Sequence, residues 1–193
     1  MPLEQGSARG RPRDERLDAK ILDVTAELLA GVGWDHLTMR AVAERAGVSL
    51  ATIYRRWATK TELVVAALQS LFAPVADILA MNGEDMTTEQ LLAPLALVVA
   101  DRVDLIGGVL AASRADRAYD TLLREQVIQP MRDAFAGHVR ARAGGRIDEP
   151  TIELIADIGP ALLLVRVGVL GESAGDATVR AIATVIDRAI SAR

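Results

Sequence analysis

The stretch Thr38-Met-Arg-Ala-Val-Ala-Glu-Arg-Ala-Gly-Val-Ser-Leu-Ala-Thr-Ile-Tyr-Arg-Arg-Trp57 decides the fold. Thr38 can N-cap a helix, with Leu37 before it and Val42 at the fourth helical position as a hydrophobic staple. Ser49 can cap a second helix, where Val48 and Ile53 repeat the staple. Gly47 between them permits a tight turn. The spacing predicts helices near 38–46 and 49–56, and two short helices joined by a glycine-containing turn are the geometry of a helix-turn-helix. Val42, Ala46, Val48, Ile53 and Trp57 are spaced to pack the pair together. The second helix presents Ser49, Leu50, Ala51, Thr52, Tyr54, Arg55 and Arg56. Its first turn is small or polar, so the backbone can approach base edges, and its later turn carries groups suited to phosphates or guanine. On geometry alone, a helical hairpin without DNA binding is the open alternative.

Working outward, Leu17, Ile21, Val24 and Leu28 mark a helix from Asp14, stopped by Gly31 and Gly33. Downstream, Thr59 with Glu62 reads as a capping box opening a long helix from Lys60 to Met81, with Leu63, Ala67, Leu71, Val75 and Ile78 on one face. Asn82-Gly83 breaks it. Thr87 with Gln90 opens the next helix, to about Arg102. Helical stretches then cover 104–116 and 119–142, and Asp148 or Thr151 starts one reaching Gly171. A last amphipathic helix covers 176–191. No period-2 strand pattern occurs, so the fold class is all-α.

The stretch from Thr38 to Trp57, followed by Ala58-Thr59-Lys60-Thr61-Glu62-Leu63, resembles the TetR-family signature, which covers roughly the first third of the chain. The family carries an aromatic where Trp57 stands and a Lys where Lys60 opens the long helix. The resemblance implies a three-helix DNA-binding domain at 14–60 and a larger helical ligand-binding and dimerisation domain at 61–193. It also implies a homodimer acting as a ligand-responsive repressor; two-fold symmetry then predicts a palindromic DNA operator, and the pocket lining of the body points to release by a small hydrophobic ligand. By match of position, Thr38, Arg40, Tyr54 and Lys60 would contact phosphates, while Leu50, Ala51, Thr52 and Arg55 would face bases. Arg56 stands where a His is common, which leaves DNA or an acidic neighbour as its partner.

Composition agrees with that class. The 193 residues contain no Cys, so no disulfide and no thiolate metal site or nucleophile exists, and only 3% are aromatic, so the interior must be aliphatic. Residues 1–60 hold ten Arg/Lys against eight Asp/Glu, and residues 61–193 hold twelve against eighteen, a faintly basic head on an acidic body. Residues 1–13 lack an apolar pattern and read as a flexible basic arm. In it Arg9-Gly10-Arg11-Pro12-Arg13 matches the core of an AT-hook, where Arg9 and Arg11 would enter a narrow A·T minor groove; a cationic tail is the alternative. The polar opening carries no secretory signal, and the longest apolar run, Ile158 to Leu170, is interrupted by Arg166 and shorter than the roughly 20 residues of a membrane span. A cytoplasmic protein with no membrane partner is expected. Only two His exist, His36 and His138, the latter in a polar helical segment. Neither has a metal-ligand partner at useful spacing, so no metal, cofactor or enzyme activity is expected.

The body should supply a dimer face and a pocket. Ile158 to Leu170 is apolar nearly all round its helix, which requires burial on more than one side. Ile158, Leu162, Val165 and Val169, with Val179, Ile182, Ile186 and Ile190 of the last helix, are the expected subunit interface, with purely internal burial as the alternative. Pro74, Pro94, Pro130 and Pro160 fall inside helical stretches, where they mark either kinks that open gaps or helix ends. A pocket between kinked helices would be lined by Ile78, Leu79, Leu95, Val98, Leu105, Val109, Phe135, Leu163 and Val167. Arg102, Arg114, Tyr119, Asp157 and Arg166 are its candidate polar fixtures, which suits a largely hydrophobic ligand with an acidic group.

Overall fold

The computed structural model describes residues 15–80 and 86–191, and every regular element among them is helical. The arm with Arg9 and Arg11 lies outside the described residues. Three helices form the head: α1 (Glu15–His36), α2 (Met39–Ala46) and α3 (Leu50–Tyr54). Gly33 interrupts α1 at φ 74°, ψ 175°, two residues beyond the first of the predicted stops. The caps form as the sequence requires. Thr38 Oγ1 accepts from Ala41 N at 3.1 Å, and Ser49 Oγ accepts from Thr52 N at 3.1 Å. Gly47 ends α2 at φ 72°, ψ 34°, the left-handed conformation that a residue with a Cβ resists, and turns the chain directly into α3.

The long α4 (Lys60–Ala80) follows Thr59, whose Oγ1 accepts from Glu62 N at 3.1 Å. The Glu62 carboxylate reaches one residue further back than a capping box requires, accepting from Ala58 N at 2.8 Å. By length and composition α4 would suffice to cross a membrane. Its apolar side chains have another use: Leu63, Val64, Val65, Ala67, Leu68 and Val75 are buried against helices of the same chain.

The body comprises α5 (Thr88–Asp101), α6 (Val103–Ala115), α7 (Arg117–Leu123), α8 (Gln129–Ala143), α9 (Glu149–Leu163) and α10 (Asp176–Ser191). Thr87 and Gln90 form the expected capping box of α5, and Asp148 rather than Thr151 caps α9, accepting from Thr151 N at 2.9 Å. Two π-helical turns extend helices: Arg124–Ile128 joins α7 to α8, and Leu164–Val169 continues α9. Pro130 follows the first of these. It cannot donate to the Gln126 carbonyl, which instead accepts from Gln69 Nε2 of α4 at 3.4 Å. Pro74, Pro94 and Pro160 lie inside their helices rather than at ends.

Three cores stack along the molecule. The head core holds Ile21, Val42, Ala46, Ile53, Trp57 and Leu63. A junction core follows, with Leu29, Trp34, Val64, Leu68, Leu105, Tyr119, Leu123 and Val127, drawn from α1, α4, α6, α7 and the first π-turn. Here α1 crosses α6 so closely that a Cβ on Gly108 would sit 3.0 Å from the Leu29 carbonyl oxygen. The body core, on α5, α8, α9 and α10, is the largest.

The body core corrects one expectation. Val179, Ile182, Ile186 and Ile190, expected on a subunit interface, are only 2–4% exposed within one chain, because α10 turns its apolar stripe onto α5 and α9. Ile158 and Leu162 are half-buried on the same core, whereas Val165 and Val169 are exposed. His138, within the polar helix α8, is itself buried beside Thr88. The Thr88 hydroxyl donates to Asp187 Oδ1 at 2.6 Å, so it accepts from His138 Nε2 at 3.2 Å, which ties α5, α8 and α10 together.

Candidate nucleic-acid interface

Head packing decides which side chains are free. Ile53 and Trp57 point inward, leaving Ser49, Ala51, Tyr54 and Arg55 on the outer face of α3, with Leu50 and Thr52 half-buried beside them. A polar chain runs along that face. Ser49 Oγ and Thr52 Oγ1 are 2.8 Å apart, and Arg55 Nη2 donates to Thr52 Oγ1 at 3.1 Å. The guanidinium is thereby held against its own helix with further donors directed outward. Thr38 and Arg40 are exposed at the start of α2. Thr38 accepts the capping bond and keeps its own proton to donate.

Two of the expected DNA contacts are engaged within the protein. Arg56 Nε pairs with Asp18 of α1, and the two side chains are only 13% and 17% exposed. The acidic neighbour is therefore the partner of Arg56, which also reaches the Thr52 carbonyl and fastens the end of α3 to α1. Lys60 Nζ donates to the Trp34 carbonyl at 2.9 Å and lies 4.1 Å from the centre of the Trp34 ring. Trp34 in turn meets Tyr119 at 4.8 Å between ring centres, tilted by 48°. Lys60, Trp34 and Tyr119 thus form a stack joining α4, α1 and α7. The Tyr119 hydroxyl is buried with no hydrogen-bond partner among the described residues, and burial, with Asp120 nearby, pushes its ionisation well above the usual phenol range.

A cavity of about 530 Å³ opens between the junction and body cores. Of the residues expected in a pocket, Leu95, Val98, Arg102, Leu105, Val109, Phe135 and Asp157 line it. Tyr119, Leu163 and Val167 do not, being spent in the junction and body cores. Arg166 is exposed on Glu172 at 2.7 Å, and Ile78 lies beyond the cavity in the last turn of α4. Arg114 is exposed elsewhere on α6, and the Leu79 side chain falls outside the described residues. Leu68 and Phe72 of α4, and Val127 and Met131 across the first π-turn, line the cavity without having been anticipated. Each pair is spaced i, i+4, a signal that could have found them, but the π-turn shifts the register on which α8 was read. In the wall Arg132 grips Asp157 with two bonds, at 2.7 and 3.0 Å, which raises the Arg132 ionisation further. Among the described residues no cluster of His, Asp and Glu could hold a metal.

A family model described as bacterial regulatory proteins, tetR family, matches residues 21–67, from α1 through the helix-turn-helix into α4. The chain is 30% identical over 176 residues to the DNA-binding transcriptional repressor TetR of Mycobacteroides abscessus, spanning 86% of this chain and 90% of that protein. The chain belongs to the TetR family. It is 29% identical over 180 residues to the uncharacterized HTH-type transcriptional regulator YdeS of Bacillus subtilis, spanning 90% and 89% of the two chains. A crystal structure of a TerR/AcrR-family transcriptional regulator from Aquifex aeolicus shares the fold at a TM-score of 0.64 and 16% identity, covering 91% of this chain and 98% of that one. This TetR-family protein is a helix-turn-helix transcriptional regulator and not an enzyme.

Proposed function

We propose that the protein is a homodimeric repressor that reads a palindromic operator with α3 of each subunit and lets go when a small hydrophobic ligand fills the cavity. Residues 14–60 act as the reading head and residues 61–193 as the ligand-binding and dimerisation part, working in the cytoplasm. The observation that carries this reading is the shared wall. Leu68, Leu105, Leu123 and Val127 line the cavity and also belong to the junction core, which holds the α1 and α4 helices that set the position of α3. A ligand that favours another packing of those four residues favours another placing of the heads, and two heads that no longer match successive major grooves release the DNA. Thr38, Arg40 and Tyr54 would take phosphates, with Ser49, Leu50, Ala51, Thr52 and Arg55 at the bases and Arg9 and Arg11 in the flanking minor groove. The dimer face is the outer side of α9 and its π-turn, where Leu154, Val165 and Val169 are 67%, 44% and 73% exposed.

A mobility shift with DNA upstream of the protein's own gene, together with sites selected in vitro, tests the reading. A specific complex is expected, weakened tenfold or more by Arg55→Ala through loss of one base contact, with dimerisation unchanged. No specific complex on either DNA source, or an Arg55→Ala affinity equal to the parent's, overturns it.

A further inference from the structure

The cavity wall has an unusual shortage of hydrogen-bonding groups. Six Leu, four Val and only two Phe make up most of it, and its sole polar side chains among the described residues are Arg102, Arg132 and Asp157. Arg132 and Asp157 satisfy each other in the two-bond pair, so neither presents a free charge. Arg102 differs. Its Nε is buried and makes no hydrogen bond among the described residues; the Asp101 carboxylate lies 2.8 Å away but off the N–H direction, on a side chain that is 73% exposed to solvent. Among the described residues the cavity therefore offers one cation with an unfilled donor, no available anion, and no neutral hydroxyl or amide side chain.

We infer that the effector is an aliphatic carboxylate, its head group on Arg102 and its chain against the leucine and valine wall. This deepens the reading of the cavity as the effector site and rests on it. A cationic ligand finds no free acid among the described lining residues. A ligand rich in hydroxyls or amides would leave each buried unpaired, at roughly tenfold or more in affinity per group. A flat polyaromatic ligand would have only Phe72 and Phe135 to stack on. At roughly 30 Å³ per water-sized heavy atom, the cavity holds about 18 non-hydrogen atoms, the size of a long-chain acid.

The test is calorimetric titration of the full-length protein with straight-chain carboxylates of graded length, and with the matching primary alcohols and amines, all kept below micelle formation. Affinity should rise about fourfold per added methylene until the cavity is full and then level off. A carboxylate should exceed its alcohol by tenfold or more, and Arg102→Gln should erase that difference while leaving the alcohol unchanged. Arg102→Lys, which keeps the charge, should retain most of it. An alcohol or amine that matches the carboxylate, or an Arg102→Gln variant that keeps the preference, overturns the assignment of the head group while leaving the cavity as an apolar site. Absence of any chain-length dependence for all three series overturns the cavity reading itself.

Discussion

Replacing Tyr119 by Phe should make the protein more stable, against the usual direction of core substitutions. The Tyr119 ring is fully buried in the junction core and its hydroxyl has no partner among the described residues. An unpaired buried hydroxyl costs about 1–3 kcal/mol, and deleting one oxygen leaves only a small void, so a net gain of about 1 kcal/mol is expected. The ring, its contact with Trp34 and the surrounding packing all persist in the variant. In a chain of this size that gain corresponds to a rise of roughly 2–4 °C in Tm, measured at matched protein concentration. The pH profile supplies a second arm. The ordinary phenol value is 10.0, and burial holds Tyr119 well above it in the folded state. A raised folded value means that the contribution is fully present below pH 10 and is lost as pH climbs above 10, where the unfolded chain ionises and the native one does not. The advantage of the Phe variant should therefore widen above pH 10, by up to about 1.4 kcal/mol per pH unit, and stay flat below it. Urea unfolding followed by circular dichroism between pH 7 and 11 reads both arms. A variant less stable than the parent at pH 7, or two profiles that run parallel to pH 11, would refute the view of Tyr119 as an unsatisfied neutral phenol.

Lys60→Met should lower operator affinity by loosening α1 from α4 while leaving the salt dependence of binding unchanged. A drop of about 0.9 in the slope of log K against log salt would instead make Lys60 a phosphate ligand in the complex. Asp18→Asn should destabilise the fold by about 2 kcal/mol in urea titrations, since it strands the half-sequestered Arg56 guanidinium; a loss under about 0.5 kcal/mol would show that the pair does not hold α3. Deleting residues 1–13 should weaken operator binding and flatten its salt dependence, and unchanged affinity at every salt concentration removes the arm from the account. Val169→Glu should shift the protein toward monomer in light scattering with its helicity intact, whereas Ile186→Glu should unfold it; a stable dimer carrying Val169→Glu rules out the outer face of α9 as the interface.

The head was the most legible part because its signals are local. Thr38, Gly47 and Ser49 each act within four residues, and each forms its cap where the pattern places it. The roles of Arg56 and Lys60 were hidden because their partners, Asp18 and Trp34, lie 38 and 26 residues away, a separation that no periodicity reveals. The α10 stripe was visible as a stripe, but amphipathicity states only that a face is covered, not by which chain. Burial on α5 and α9 answers that for Ile182 and Ile186. The cavity was read half correctly for a related reason. Helical spacing picked out apolar faces on α5 and α6, but the π-turn at Arg124–Ile128 rotates the helix beyond it, and Met131 came into the wall unannounced.

The doubling of Leu68, Leu105, Leu123 and Val127 as cavity lining and as packing beneath the head bears on how such a protein diverges. A substitution that reshapes the cavity at any of these four positions also disturbs α1 and α4, so under the proposed function a change of ligand preference there would bring a change of operator strength with it. Leu95, Val98 and Phe135 line the same cavity from the body core and carry no such linkage. Drift in ligand preference should therefore accumulate on the α5 and α8 side, with the four shared positions held back by their second duty. The same asymmetry gives a practical rule for building a biosensor from this scaffold: randomise the body wall and leave the junction wall alone.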